Sequence, residues 1–519
     1  WLATPMSHNG ASEANEHDAK RLLTAICQAL YLPSHFVITA YEDVAYYLWR
    51  EQQIPADLDP TKADLKDDLE RRRLAALLMK GLNTPSGYVL PLQWQVQGDY
   101  WQSCAWRLRA GQLYLIPGDS PLGLRLPLDR LEWAPRNQLQ DQPLDPFAPV
   151  VSLQGRPHIN PPLYPDAGFI QTALSVEARD GKLHVFLPPV TQLEAFVQLM
   201  SVIEFAASSV GLPVILEGYD PPRDSRLAKF MVTPDPGVIE VNIHPVASWQ
   251  ELVDNTTALY DLAHQTRLGT EKFMLDGRQT GTGGGNHVTM GGATPTDSPL
   301  LRRPDVLRSL ITFWQHHPGL SYVFSGLFIG PTSQAPRVDE GRDELLYELE
   351  IAFAQLPKHE TWQPWLVDRV LRHLLVDITG NTHRSEFCID KLYSPDSAAG
   401  RLGLLEFRGF EMPPHARMSL VQMLLLRTLL AMFWRKPYHH KLVRWGTSLH
   451  DKFMLPHFVQ EDLRQVTELL QQEGYPFCLD WFDPFLEFRF PVFGRVQVGE
   501  IGVELRTAIE PWHVLGEET

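Results

Sequence analysis

The stretch Leu404-Leu405-Glu406-Phe407-Arg408-Gly409-Phe410-Glu411 decides how this chain is read. In a strand, alternate side chains share a face. Glu406 and Arg408 therefore point the same way, and the neighbouring Leu404, Leu405 and Phe407 mark the strand as largely buried. Buried charges must be paired or bind ions. The stretch is thus either a structural Glu–Arg pair or a metal-binding carboxylate beside a phosphate-binding arginine. A long apolar run follows from Ser419. Its most apolar part, Leu420 to Trp434, carries Gln422 and Arg427. It is too short and too polar for a bilayer span and reads as a core helix.

Working upstream, Thr382-His383-Arg384-Ser385-Glu386 is a second strand segment with charged groups. Before it, Pro331-Thr-Ser-Gln-Ala-Pro-Arg337 is a proline-bounded loop that delivers one arginine. It fits either a surface turn or bidentate anion binding. The run Gly281-Thr-Gly283-Gly284-Gly285-Asn-His287-Val-Thr289 suits either a flexible loop or a backbone that approaches phosphates closely. It is neither a Walker loop nor a dinucleotide fingerprint. His287 and Thr289 would share one strand face. In Asp235-Pro-Gly237-Val-Ile-Glu240-Val-Asn242-Ile-His244, alternation puts Glu240, Asn242 and His244 on one face. That fits a polar cleft lined by a sheet, or a half-exposed strand.

Around these segments the texture is α+β. Leu174–Glu177 and Leu183–Leu187 flank Arg179-Asp180-Gly181 as a hairpin, followed by a helix from Leu193 to Val210. Strands are expected at Val214–Glu217 and Val238–Ile243. The first segment reads as helices at His17–Tyr31, opened by Asn15 or Glu16, and at Tyr41–Gln52, with an exposed charged helix at Lys62–Arg73. Gly87 to Leu131 reads as a small antiparallel sheet, and the Pro-, Gln- and Asp-rich residues 134–166 read as a linker. A helix near Glu461–Gln472 precedes strands at Leu486–Phe490, Arg495–Val498 and Gly502–Leu505. The expected division is 1–165 accessory, 166–440 catalytic core and 441–519 C-terminal segment.

The 519 residues suit about two to four domains. A net charge of −16 argues against general DNA or RNA binding, which needs a basic surface. The four cysteines, Cys27, Cys104, Cys388 and Cys478, form no CxxC pair and suit a reducing, cytoplasmic compartment. No signal peptide is visible, no membrane attachment is expected, and the first residue is Trp1.

Taken in order, the segments resemble glutamine synthetase and related carboxylate–amine ligases. Gly237-Val-Ile-Glu240 is similar to the family's Gly-x-x-Glu metal strand. Phe273-Met274 followed by Gly283 to Thr289 is similar to its glycine-rich strand, with His287 at the metal position. Ser333 to Arg337, Arg384-Ser385 and Glu406-Phe-Arg408 match the later phosphate- and metal-binding motifs. The family carries Glu-x-Glu on its first core strand, whereas this chain has Ser175 and Glu177. More narrowly, the runs His8–Asp18, Asn242-Ile-His-Pro, Asp390-Lys-Leu-Tyr-Ser-Pro and Asp480-Trp-Phe-Asp-Pro-Phe resemble a bacterial family of putative amidoligases. Members of that family often carry a transglutaminase-like domain upstream. They are usually longer, so this chain is expected to be a fragment at both ends.

The resemblance implies a glutamine-synthetase-like core with a mostly antiparallel sheet backed by helices. It implies an ATP-dependent ligase that forms an amide from carboxylate and amine substrates, small molecules or peptides, through an acyl phosphate. One or two Mg²⁺ ions would be held by Glu177, Glu240, His287 and Glu406. The glycines Gly283, Gly284 and Gly285, with Arg337 and Arg384, would bind the nucleotide. Arg337, Arg384 and Arg408 would serve the transferred phosphoryl group. The competing expectations are a glutamate–cysteine-ligase-like or kinase-like enzyme on the same fold, and an inert scaffold.

Overall fold

The computed structural model describes residues 13–43, 46, 84–96, 98–108, 111–131, 147, 151–153, 158–163, 169–222, 224, 226–235, 237–273, 275, 277, 279–326, 328–340, 342, 344–397 and 400–511. The expected charged helix at 62–73, Met274, most of the 134–166 linker and most of the expected second helix lie outside the described residues.

The chain divides into two compact units. Trp1–Pro143 with Val150–Leu227 form one, and Leu144–Pro149 with Ala228–Thr519 the other. This differs from the division expected at residues 166 and 441, and hydrogen bonding explains why. The expected hairpin forms as Ala173–Arg179 and Lys182–Leu187, but its first strand pairs antiparallel with Gly87–Pro91 and so joins the N-terminal sheet.

In the first unit, a six-stranded mixed sheet runs in the order Leu113–Tyr114, Ile38–Tyr41, Gly87–Pro91, Ala173–Arg179, Lys182–Leu187 and Val214–Gly218. Both edge pairings are parallel. The parallel step from Lys182–Leu187 to Val214–Gly218 is made by the helix Leu193–Val210, because a parallel pair needs a crossover. That helix ends at Gly211 with φ +77°, the left-handed conformation that favours glycine. Helix Glu16–Ala29 starts at Asn15, whose side chain accepts from the His17 and Asp18 N–H groups. It packs with Leu193–Val210 over the sheet, burying Leu22, Ile26, Val176, Leu199 and Ile203. Tyr41 ends a strand instead of opening a helix. The region Gly87–Leu131 is likewise not a sheet of its own. It contributes strands to the mixed sheet, a separate hairpin of Gln93–Gln95 with Tyr100–Gln102, and a 3₁₀ turn at Leu122–Arg125.

The second unit is a helical body around one apolar core. Helices Pro304–His316, Ala416–Arg435 and Pro456–Gln472 all contribute to it. Leu310, Leu425, Val459 and Phe490 belong to this one cluster, which is why the residues after 441 do not stand apart. Leu193–Val210 and Ala416–Arg435 are long and apolar enough, by length and composition, to cross a membrane. Each buries an apolar face within its own unit. The expected strand at Leu486–Phe490 is helical, as part of Asp483–Arg489; Pro484 fills the first turn, where its missing N–H costs nothing. The last two expected strands form the exposed hairpin Val492–Val498 with Ile501–Arg506.

Candidate active site

Within the second unit, a three-stranded antiparallel sheet is ordered Val288–Met290, Leu405–Phe407, Phe387–Cys388. Its register pairs Thr289 and Cys388 with Glu406, and Val288 and Phe387 with Phe407. Directly paired residues share a face. Phe387 and Phe407 face the core, where both meet the ring of Trp314. Glu406, Thr289 and Cys388 therefore take the opposite face. The aromatic side fixes the register, because a slip of one residue would exchange the two faces.

Glu406 is buried, at 3% exposure, and three cationic or ionisable groups converge on it. Lys391 Nζ donates to its Oε2 at 2.6 Å, Arg408 Nη1 donates to its Oε1 at 2.7 Å, and His287 Nδ1 lies 3.5 Å from Oε1. Burial alone would raise the Glu406 carboxyl, but the Lys391 hydrogen bond and the charges of Lys391 and Arg408 hold it below the usual carboxylate range. Burial, and then Arg408, pushes His287 down to about 4 against the opposing pull of Glu406 and Glu240. His287 is therefore neutral near pH 7, with a lone pair available to a ligand.

Glu240 lies in the exposed hairpin Met231–Asp235 with Val238–Asn242, and its Oε1 accepts from Asn242 Nδ2 at 2.7 Å. Its influence on His287 brings it into the field of the same cluster. His244 continues past this hairpin to Asn255 of the helix Trp249–Gln265. Of the four expected metal ligands, Glu240, His287 and Glu406 belong to this unit. Glu177 belongs to the other, where it accepts from the Leu122 N–H and from Arg179. Burial raises its carboxyl against those two contacts.

The glycine run positions His287. The Asn286 N–H donates to the Phe410 carbonyl, and its side-chain amide donates to Ser419 and Gln422 of Ala416–Arg435. Gly285 bridges to Glu411 in the strand extension beyond Arg408. A Cβ on Gly285 would lie 2.1 Å from His287 Nε2, so this glycine makes room for the imidazole. Gly283 has φ +85°. The Gly284 N–H is already used by Thr282 Oγ1, which removes it as a phosphate donor.

The three expected phosphate arginines have three different environments. Arg337 requires a correction. It is 3% exposed, and all its N–H groups are engaged by Asp339, Ser321 and the carbonyls of Trp314 and Gln315. It is a core residue with no donor left for phosphate. Arg408 holds Glu406 through Nη1, while its Nε is buried without a hydrogen-bond partner among the described residues. Arg384 is half-buried, and its guanidinium makes no hydrogen bond or ion pair among the described residues. Its charge helps to lower the Asp377 carboxyl.

Sequence reasoning missed Lys391, although it lies in the run Asp390-Lys391 that carried the family resemblance. A lysine beside an aspartate on a loop gives no periodic signal. It also missed Glu386 as a buried acid. Glu386 accepts from Trp314 Nε1 at 3.0 Å, and burial pushes it up to about 7 against the charge of Arg337.

The donor set suits a cation that bridges imidazole and carboxylate. Glu406 Oε1 has more than one lone pair, and His287 offers a neutral nitrogen. Lys391 already neutralises Oε2. A divalent cation would therefore face the like charges of Lys391 and Arg408, unless a polyanion arrived with it.

A family model described as "Putative amidoligase enzyme (DUF2126)" matches residues 2–519. No curated protein and no solved structure matches the chain.

Proposed function

Because the chain belongs to the putative amidoligase enzyme family, a family of ligase-type enzymes, we propose that the polar face around Glu406 joins a carboxylate to an amine in an ATP-dependent reaction. The observation that carries this reading is the convergence of Lys391, Arg408 and neutral His287 on one buried carboxylate. Lys391 and Arg408, two cations on the one buried carboxylate, are donors suited to phosphate oxygens.

Amide formation from a free carboxylate is uphill in water. ATP overcomes this by transferring its γ-phosphoryl group to the acid, and the amine then displaces phosphate from the acyl phosphate. Such transfer depends on positioning and charge neutralisation more than on covalent help from the protein. Arg408 and Arg384 meet that need as forked donors for phosphate oxygens. Lys391 is a flexible point charge for the same oxygens. Glu406 orients both Lys391 and Arg408, and with His287 and Glu240 it would hold Mg²⁺. When bound with nucleotide, Mg²⁺ would neutralise charge on the β- and γ-phosphates. The expected glutamine-synthetase-like core agrees with this chemistry and belongs to the same proposal. So does a transglutaminase-like neighbour that would supply peptide substrates.

The test is product analysis with the purified chain, ATP and Mg²⁺ over a panel of acids and amines. The expected result is ADP and phosphate released in step with an amide, and only when both substrates are present. A stable phosphorylated product without amine would assign a kinase instead. No nucleotide turnover and no nucleotide binding would leave the scaffold reading.

A further inference from the structure

Beside the Glu406 cluster, three side chains of a different chemical character meet. His383, Cys388 and Asp390 bring an imidazole nitrogen, a thiol sulfur and a carboxylate oxygen within 4.8 Å of one another. We propose that these three residues bind a borderline-soft divalent cation of the Zn²⁺ type, at a site separate from the nucleotide-linked Mg²⁺.

The ligand types argue for the metal. Thiolate and imidazole select Zn²⁺ or Co²⁺, whereas Mg²⁺ and Ca²⁺ take oxygen donors. Zn²⁺ binds sulfur at about 2.3 Å and nitrogen or oxygen at about 2.0 Å, so the ligand atoms of a tetrahedral site with one sulfur lie roughly 3.3–3.5 Å apart. His383 Nε2 and Asp390 Oδ2 already lie 3.3 Å apart, and His383 is exposed while Asp390 is half-buried. Three protein ligands leave a fourth position open, as in zinc sites that admit water or substrate.

The scaffold is built for such a role. Cys388 is locked in the strand whose neighbour Phe387 pairs with Phe407, so it faces the Glu406 side of the sheet. Thr382 Oγ1 donates to Asp390 Oδ2 at 2.7 Å, orienting that carboxylate. The loop carrying His383 is pinned by Asp377, whose Oδ1 accepts the N–H groups of Thr379 and Asn381. Asn381 Oδ1 in turn accepts the His383 N–H at 2.9 Å. Cys388 is also the direct cross-strand partner of Glu406, so the two sites are about 5 Å apart at their Cβ atoms.

The experiment is a Co²⁺ titration of the full chain after chelator treatment, read by absorption spectroscopy. The expected result is one equivalent of Co²⁺ bound with a sulfur-to-cobalt charge-transfer band. Zn²⁺ should displace it, and excess Mg²⁺ should not. Cys388→Ser removes the band, His383→Ala and Asp390→Ala abolish tight binding, and Thr382→Val weakens binding by about 10–100-fold. His383 lies on an exposed loop, so His383→Ala keeps the test valid if Cys388→Ser fails to fold. A charge-transfer band that survives both of these variants overturns the proposal. So does Co²⁺ binding with no thiolate band, or displacement by Mg²⁺. Because the readout is spectroscopic, it stands or falls apart from the ligase assignment.

Discussion

His287 Nδ1 lies 3.5 Å from Glu406 Oε1, a carboxylate oxygen that also accepts from Arg408. One oxygen thus links the strand after the glycine run to the arginine of the Glu-x-Arg strand. Replacing Glu406 by Gln keeps the shape and removes the charge. ATP-dependent turnover should fall by about 10²–10³ in kcat, the usual loss when one electrostatic contact to developing charge is removed. Stability should fall by only about 1.5–3 kcal/mol, the worth of a hydrogen bond to a charged group, because Lys391 reaches solvent. Denaturant unfolding alongside kinetics separates the two effects. Unchanged turnover in a folded Glu406→Gln protein would remove Glu406 from the chemistry.

Two titratable groups, the buried Glu386 and the more exposed His287, impose opposite pH dependences on stability. His287 falls from 6.5 to about 4, so between those values the unfolded chain binds the extra proton and stability rises with pH. Glu386 rises from 4.5 to about 7, so between those values the native state holds the extra proton and stability falls as pH rises. The shift of the buried Glu386 corresponds to about 3 kcal/mol over its window, and solvent screening leaves the more exposed His287 with less. The stability difference between the wild type and His287→Gln should therefore grow from pH 4 to pH 6.5. The difference between the wild type and Glu386→Gln should shrink from pH 4.5 to pH 7. Urea unfolding at several pH values reads both. Two difference curves of the same sign would contradict the direction of one of these shifts.

The sequence made the local periodicities legible, because they follow from which side of an element must leave water. Alternation identified the shared face of Glu406 and Arg408, and helix Leu193–Val210 was read at its observed limits. Of Asn15 and Glu16, the two residues expected to open the first helix, Asn15 caps it through its side chain. What stayed hidden was non-local. Nothing near Ala173–Arg179 signals that it will pair with Gly87–Pro91, and so the unit boundary was misplaced. Nothing near Arg337 signals that Trp314 and Gln315 will offer it their carbonyls, so a core arginine read as a phosphate ligand. Residues 486–490 carry an apolar pattern too short to distinguish strand from helix, and Pro484 settled it as a helix start.

The contrast between Arg337 and Arg384 gives a direct test of that correction. Arg337→Ala strands Asp339 and two carbonyls in the interior, and breaking one partner of a buried pair costs about 3–5 kcal/mol. Its activity loss should follow its loss of folded protein. Arg384→Ala breaks no hydrogen bond among the described residues, so its stability should change by about 0.5 kcal/mol or less. Its turnover should nonetheless fall by at least about 10²-fold if Arg384 holds phosphate. Thermal melts paired with single-turnover kinetics distinguish the two. An Arg384→Ala protein with normal nucleotide affinity and rate would assign that arginine a surface role.

Gly285 offers the sharpest probe of how the glycine run works. If it served to present N–H groups to phosphate, alanine would be tolerated, because every residue but proline has that N–H. The geometry gives a different reason for glycine, since an added Cβ would lie 2.1 Å from His287 Nε2 and 2.5 Å from Cδ2. Both atoms are at the end of a side chain that can rotate, and the backbone at Gly285 is not in the left-handed region. Gly285→Ala should therefore fold with a stability loss of about 1–3 kcal/mol, as for an overpacked site. The imidazole swings away from Glu406, so the variant should lose as much activity as His287→Ala. Combining the two substitutions should then cost no more than His287→Ala alone, because both remove one interaction. Additive losses in the double variant would show that Gly285 acts on the ligand directly, independently of His287.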